Sequence, residues 1–308
     1  MITVIGGSGF IGTALCRSLQ AQAIPFQIVD KNPSTTFPDQ TELADVRDPQ
    51  ALASACQGKV WINLAAEHQD NVRPVRLYEE VNVQGARHLC ALAAERQVER
   101  LLFVSSVAVY GESHPNADEE SPHAASHPYG QTKAAAEQVY RDWQAADPRR
   151  RQLLIVRPTV VFGEGNRGNV YNLLAQMASG RFVMIGSGQN RKSMAYLPNV
   201  VAFMEHLLGQ PQRAGVQVFN YADKPDFSME ELVQNVYEAL GKPSTSPFRL
   251  PYVFGYGAGL ALDLLGKLRG KPFTISAIRV KKFCSTTTFS SARSAASGFQ
   301  APFTLAEG

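Results

Sequence analysis

Cysteine is scarce in this sequence and long apolar runs are missing, and each scarcity narrows what the chain can be. Its four cysteines, Cys16, Cys56, Cys90 and Cys284, lie far apart and form no CxxC pair. Neither a zinc site nor a disulfide framework is implied, and free buried thiols in a reducing compartment are expected. The longest apolar stretch, 252–262, contains three glycines and falls short of the roughly 18–20 residues that span a bilayer. Continued through Asp263, Lys267 and Arg269, it reads as an amphipathic helix, used either for packing, as a lid, or on a membrane surface. A strong charge of one sign is lacking too. The formal net charge of +3 is too small, and the basic residues too scattered, for nucleic acid to be the main partner; an anionic small molecule fits. His114, His123 and His127 share a polar loop without the carboxylates or spacing of a metal site, so no metal is expected. Met1 leads directly into a strand pattern at 2–5, without a signal-peptide pattern, and a cytoplasmic chain is expected.

What is present is an alternation. Apolar β-rich runs at 2–5, 26–29, 60–64, 101–105 and 153–156 are separated by helix-length segments, which predicts a parallel sheet covered on both faces. The segment 72–96 carries Leu77, Val81, Leu89, Leu92 and Ala93 at helical spacing and should bury one face on that sheet. After Pro158 the glycine-, asparagine- and arginine-rich stretch 163–169 marks a loop leaving the sheet's carboxyl edge, where ligand crevices form. Beyond it the pattern predicts a helix at 170–179, a strand at 182–185, a helix after Pro198, a strand at 216–221 and a helix opened by a Ser228/Glu231 capping box. The expected organisation is a dinucleotide-binding domain over 1–165 with a smaller substrate lobe over 166–308, parts of which return to the first domain.

Directly after the first strand stands Gly6-Gly7-Ser8-Gly9-Phe10-Ile11-Gly12, followed by a helical pattern. Gly6 permits the tight turn, Gly9 lets the backbone approach a pyrophosphate, and Gly12 allows helix and strand to pack closely while the helix amino end faces the phosphates. Asp30 ends the second strand 18 residues after Gly12. A carboxylate there accepts hydrogen bonds from a ribose 2′-hydroxyl and repels a 2′-phosphate, so NAD is favoured over NADP, although Lys31 beside it softens that repulsion. Asp45-Val46, after a third strand, suits the adenine amine and ring, and equally suits a helix cap.

Two further segments carry the chemistry. Ser105-Ser106 ends the fifth strand, and Tyr129-Gly130-Gln131-Thr132-Lys133 opens an alanine-rich helix. Tyr129 and Lys133 lie one turn apart on one face, so an ammonium at Lys133 is expected to lower the phenol from its reference near 10. The phenolate would take a proton from an alcohol while hydride leaves for the nicotinamide, and Ser106 would hold the same oxygen.

Taken together, GGSGFIG (6–12), NLAA (63–66), SSVAVYG (105–111), YGQTK (129–133) and RPTVVFGEGN (157–166) resemble the extended short-chain dehydrogenases, the NAD-dependent epimerase/dehydratase family, over essentially the whole chain. The resemblance implies a Rossmann-type doubly wound α/β fold with an interleaved smaller C-terminal lobe. It implies NAD held also by Leu64, Ala65, Ala66 and Pro158, and Asn82 supporting the fold nearby. Dehydratases of the family place an Asp-Glu pair after the position of Ser106; Val107-Ala108 stand here, which disfavours 4,6-dehydration. Resemblance also implies a homodimer pairing helices near 73–96 and 128–146.

On the substrate side, a diphosphate calls for cations and backbone amides. The candidates are Asn169 and Val170 at a helix start, Arg191, Lys192 where the family's arginine aligns, and Arg279 within the basic run Lys267, Arg269, Lys271, Arg279, Lys281 and Lys282; such a run also serves simply as a solvated face. Glu67 and His68 follow NLAA and read as loop contacts. The leading expectation is an NAD-dependent 4-epimerase of a UDP-type sugar. A 4-keto-sugar reductase of polysaccharide assembly, a hydroxysteroid-type dehydrogenase and a dinucleotide sensor that lost its chemistry stand as alternatives, since one fold serves all four.

Overall fold

The computed structural model describes residues 1–69, 72–111, 115–166, 168–241, 248–269 and 276–308, with only the backbone described at 267 and 268. In chain order the elements are β1 (Ile2–Ile5), α1 (Phe10–Ala21), β2 (Phe26–Asp30), β3 (Thr41–Leu43), α2 (Pro49–Ala55), β4 (Val60–Asn63), α3 (Arg76–Tyr78), a π-helical turn (Glu79–Gln84) and α4 (Gly85–Glu95). They continue with β5 (Arg100–Val104), α5 (Pro128–Ala145), β6 (Gln152–Pro158), β7 (Val160–Phe162), α6 (Asn169–Ala178), β8 (Met184–Ile185), β9 (Arg191–Tyr196) and α7 (Leu197–Gly209). Last come β10 (Gly215–Tyr221), β11 (Asp223–Ser228), α8 (Met229–Ala239), β12 (Arg249–Leu250), α9 (Tyr252–Arg269), α10 (Ala277–Cys284) and α11 (Ala292–Ala296).

The chain forms two compact units, one made of 1–165, 195–223 and 289–308, the other of 166–194 and 224–288. The first unit holds a seven-stranded sheet in the order β10-β6-β5-β4-β1-β2-β3, parallel throughout. This is the doubly wound Rossmann-type arrangement, and its strand order reverses between β1 and β4, the place where such sheets open a ligand crevice. β5 and β6 are buried along their whole length, as expected of central parallel strands covered on both sides. One face packs Trp61, Leu89, Phe103, Tyr140 and Trp143; the other packs Leu15, Ile28, Val156, Leu197 and Phe203.

The second unit has a smaller core of Met177, Phe182, Met184, Met229, Val233 and Tyr237. α8 opens on the Ser228/Glu231 capping box, with both reciprocal bonds made. α9 crosses α10 at a glycine: a Cβ on Gly259 would stand 2.6 Å from the backbone nitrogen of Ala277. Among the described residues no helix is long and apolar enough to cross a membrane.

Two element expectations need correction. The helix expected from residue 72 starts at Arg76, because Pro74 lacks an N–H and disfavours helical backbone in the residue before it. The strand expected at 182–185 shortens to Met184–Ile185, since Phe182 is drawn into the second unit's core instead of a ladder.

Candidate active site

The nucleotide end of the site is built around the first turn. Gly6 has φ +79°, and a Cβ there would lie 2.5 Å from the backbone nitrogen of Ala65, so the turn after β1 and the segment after β4 touch backbone to backbone. Gly12 is as constrained, with a Cβ placed 2.5 Å from Cα of Gly7. The amino end of α1 is capped by Gly9 without any side-chain hydrogen bond, which leaves its N–H groups for an anion. Asp30 reaches the same turn: its carboxylate accepts the N–H of Ser8 at 3.1 Å and that of Asn32 at 2.9 Å. Phe10 and Ile11 are half-buried in the sheet-face cluster, and Lys31 is exposed. An open helix terminus and a carboxylate poised beside it fit an NAD pyrophosphate and ribose.

Around this turn, Leu64 donates its N–H to Ile5, and the amide oxygen of Asn63 accepts the N–H of Ala65; Ala66 is half-buried just beyond. Asn82, buried in the π-helical turn, accepts the N–H of Glu67 at 2.8 Å and donates to its carbonyl at 3.0 Å. It also donates to the Thr132 hydroxyl at 3.0 Å, joining the loop after β4 to α5 between Tyr129 and Lys133. Asp45 departs from expectation in one respect. Its carboxylate is engaged by the Arg47 guanidinium at 2.6–3.1 Å, and that contact holds it below its ordinary value. Val46 is buried, and its carbonyl meets Nδ1 of His88 at 2.9 Å. Pro158 closes β6 in register with Tyr221.

Ser106 follows β5 and caps a short helical turn, accepting the N–H of Ala108 at 3.2 Å. Tyr129 stands at the second position of α5 behind Pro128, and its own N–H is taken by Nδ1 of His127 at 3.2 Å. Burial raises the phenol above its ordinary value, and Ser106 opposes that rise. Lys133, one turn along, is 2% exposed. Its ammonium donates to the Val104 carbonyl at 2.7 Å and lies 4.2 Å from the Phe103 ring centre. Burial pushes it down to about 7, with Glu137 acting in the opposite sense. The expected lowering of Tyr129 by Lys133 is therefore not what this arrangement displays: the ammonium is aimed at the end of β5, and Ser106 is the group that favours the phenolate.

Next along the same helical face comes a residue that motif reading passed over. Glu137, 1% exposed, accepts two hydrogen bonds from the equally buried Arg157, at 2.8 and 2.6 Å. Arg157 also donates to the Tyr110 hydroxyl at 2.6 Å, and Tyr110 donates to Asn220 at 2.7 Å. Nε2 of His123 lies 2.8 Å from the same guanidinium; burial foremost, with Arg157, holds the imidazole below its ordinary value. Arg157 keeps Glu137 low against burial, which pulls the other way. A Tyr129, Lys133, Glu137 ladder at four-residue steps was the available signal.

The expected diphosphate ligands lie in the second unit. Asn169 and Val170 open α6, whose Gly168 cap makes no side-chain bond. Arg191 donates to the Asp226 carbonyl at 2.6 Å and approaches Glu231 at 3.4 Å. Lys192 donates to the Lys282 carbonyl at 2.8 Å. Arg279 is exposed on α10, as are Lys281 and Lys282. Lys271, the side chain of Lys267, and His114 lie outside the described residues.

Comparison with known proteins agrees with this reading of the fold and cofactor end. A profile of the NAD dependent epimerase/dehydratase family matches residues 2–222. The chain is 47% identical over its full length, and over 92% of the relative, to the N-acetyl-alpha-D-glucosaminyl-diphospho-ditrans,octacis-undecaprenol 4-epimerase of Escherichia coli O157:H7. It is 30% identical to the UDP-glucose 4-epimerase of Vibrio cholerae, over 88% of this chain and 82% of the relative. The solved structure of the Thermus thermophilus UDP-glucose 4-epimerase with NAD superposes with a TM-score of 0.75 at 20% identity, over 100% of this chain and 96% of that one. The chain thus belongs to the NAD-dependent epimerase/dehydratase family, and is an NAD-dependent enzyme of the extended short-chain dehydrogenase type.

Proposed function

We propose that the protein inverts C4 of an N-acetylhexosamine joined through a diphosphate to a polyprenol-type carrier. The observation that carries the reading is the order Ser106 after β5, Tyr129 at the start of α5 and a buried Lys133 one turn on, with Ser106 favouring the Tyr129 phenolate, in a chain 47% identical to an enzyme named for that reaction. Sequence alone pointed to a uridine diphosphate carrier. The polyprenyl carrier is preferred because that relative is matched over the whole chain, whereas the UDP-glucose epimerase of Vibrio cholerae is matched at 30%.

In this reading Gly6, Gly9, Phe10, Ile11, Gly12, Asp30, Lys31, Asp45, Val46, Leu64, Ala65, Ala66, Asn82 and Pro158 hold or support NAD. What NAD supplies when bound is reversible acceptance of the C4 hydride. Ser106 holds O4, and Tyr129 takes the proton from O4 as C4 is oxidised, then returns it when C4 is reduced from the opposite face. Ser106 is the group that favours the phenolate, and Lys133 one turn away is engaged with the Val104 carbonyl at the end of β5. Asn169, Val170, Arg191, Lys192 and Arg279 are the proposed diphosphate ligands, where Arg191 and Lys192 would exchange present partners for phosphate oxygens. With valine and alanine after Ser106, no carboxylates follow it to drive elimination. A homodimer through α4 and α5, working on the cytoplasmic side in polysaccharide assembly, completes the reading.

The test is turnover of a purified N-acetylglucosaminyl diphospho-polyprenol beside UDP-N-acetylglucosamine, with Tyr129→Phe as control. The 4-epimer of the lipid-linked sugar should form without added reductant, and Tyr129→Phe should lower its rate by about 10²–10⁴-fold. An unchanged rate in Tyr129→Phe would remove the assigned proton transfer, and turnover of the UDP-sugar alone would restore the uridine carrier.

A further inference from the structure

Among the described residues, exposed large apolar side chains gather most densely on one helix. α9 exposes Val253 (76%), Phe254 (67%), Leu260, Leu264 (62%) and Leu265. At 100° per residue these five positions fall within an arc of about 140° and form one outward stripe. The opposite side of the helix is used for packing, since a Cβ on Gly255 would meet Ile185 at 2.6 Å and Gly259 abuts the start of α10. An isolated exposed leucine needs no explanation, but a continuous apolar stripe of this kind marks an interaction site.

Charge narrows the partner. α10 begins at Ala277, against Gly259, and carries exposed Ile278, Arg279, Lys281 and Lys282; exposed Arg269 ends α9. Across both helices the only acidic residue is Asp263, and its carboxylate accepts the Ala277 N–H at 3.0 Å. Tyr252 and Tyr256 stack at the amino end of α9 with ring centres 5.7 Å apart, and Phe248 just before them is 73% exposed. Aliphatic residues flanked by bases and tyrosines are the composition of a helix lying in a bilayer's headgroup layer, held by apolar burial and by attraction to anionic lipid.

We infer that α9 and α10 form a docking surface for an anionic phospholipid bilayer, from which the enzyme takes its substrate. The second half of this statement rests on the polyprenyl-linked reading above; the first rests on the exposed stripe and its charges alone.

The experiment is flotation of the full-length NAD-loaded protein with phosphatidylcholine vesicles containing about one-third phosphatidylglycerol, and with phosphatidylcholine alone. Wild type should float with the anionic vesicles and stay behind with the neutral ones. The double variant Leu260→Glu/Leu264→Glu should lose about tenfold or more of that binding. It should turn over a short-chain, water-soluble diphosphoprenyl sugar at the wild-type rate, while losing rate on the long-chain substrate in vesicles. Wild type that stays in solution with both vesicles overturns the docking surface, even if the short-chain sugar is epimerised. Flotation without turnover of any diphosphate sugar keeps the surface and removes the functional reading. A double variant that changes the sedimentation of the protein, with no flotation of wild type, assigns the stripe to a contact between copies and also overturns the proposal.

Discussion

α5 and α9 are both 18 residues long, yet they distribute polarity in opposite ways. α5 buries Thr132, Lys133, Glu137 and Gln144, whereas α9 turns Val253, Phe254, Leu260, Leu264 and Leu265 outward. Each arrangement works against the ordinary sorting of side chains by water. In α5 the cost of desolvating charge is offset by specific partners: the Val104 carbonyl for Lys133 and the Arg157 fork for Glu137. In α9 the described residues provide no internal cover for the stripe, and the natural cover is external. Polar groups hidden at this expense belong to chemistry, and apolar groups exposed at this expense belong to a partner.

Truncation separates the two helices most sharply. Glu137→Ala leaves the Arg157 guanidinium buried without its counter-charge, and urea unfolding should show a loss of about 3–5 kcal/mol. Leu264→Ala in the same assay should stay within about 0.5 kcal/mol, since the side chain is already in water. Near-equal losses would break the contrast.

A smaller effect is expected from pH. Lys133 is held at about 7 in the folded protein, below its unfolded value near 10.4. Above pH 7 the unfolded chain therefore binds more protons at this site than the folded one, and stability from this group rises with pH up to the unfolded value. Between about pH 7 and 8.5 the gain should be of order 1 kcal/mol, read as the difference between wild type and Lys133→Met. Taking that difference cancels the opposing contribution of the buried thiols of Cys16 and Cys56, which burial pushes up to about 12. A flat difference would mean that the buried amine keeps its charge across this range.

The sheet was legible in the sequence because parallel strands buried on both faces are written as unbroken apolar runs, as at Leu101–Val104 and Leu153–Val156. The turn at Gly6–Gly12 was legible because backbone approach leaves glycine no substitute. The direction of Lys133 was not, because spacing along a helix says which residues share a face and not which carbonyl a long side chain meets. Arg47 was missed as the partner of Asp45, and Arg157 as that of Glu137, for different reasons. The first pair is local but competes with a ligand role; the second joins α5 to β6, across 20 residues of sequence, and only the folded sheet brings it together. The outward stripe of α9 was visible as an amphipathic pattern, but periodicity does not say which face is covered.

The central claim is that one carbon is oxidised and reduced by a single returning hydride. It is tested most directly with a diphosphate-linked N-acetylglucosamine carrying deuterium at C4, incubated with the NAD-loaded enzyme and analysed by mass and NMR. The account predicts that the 4-epimer keeps its deuterium at C4, and that a parallel reaction of unlabelled sugar in D₂O places none there. Loss of the label to solvent, or solvent deuterium at C4, would contradict it.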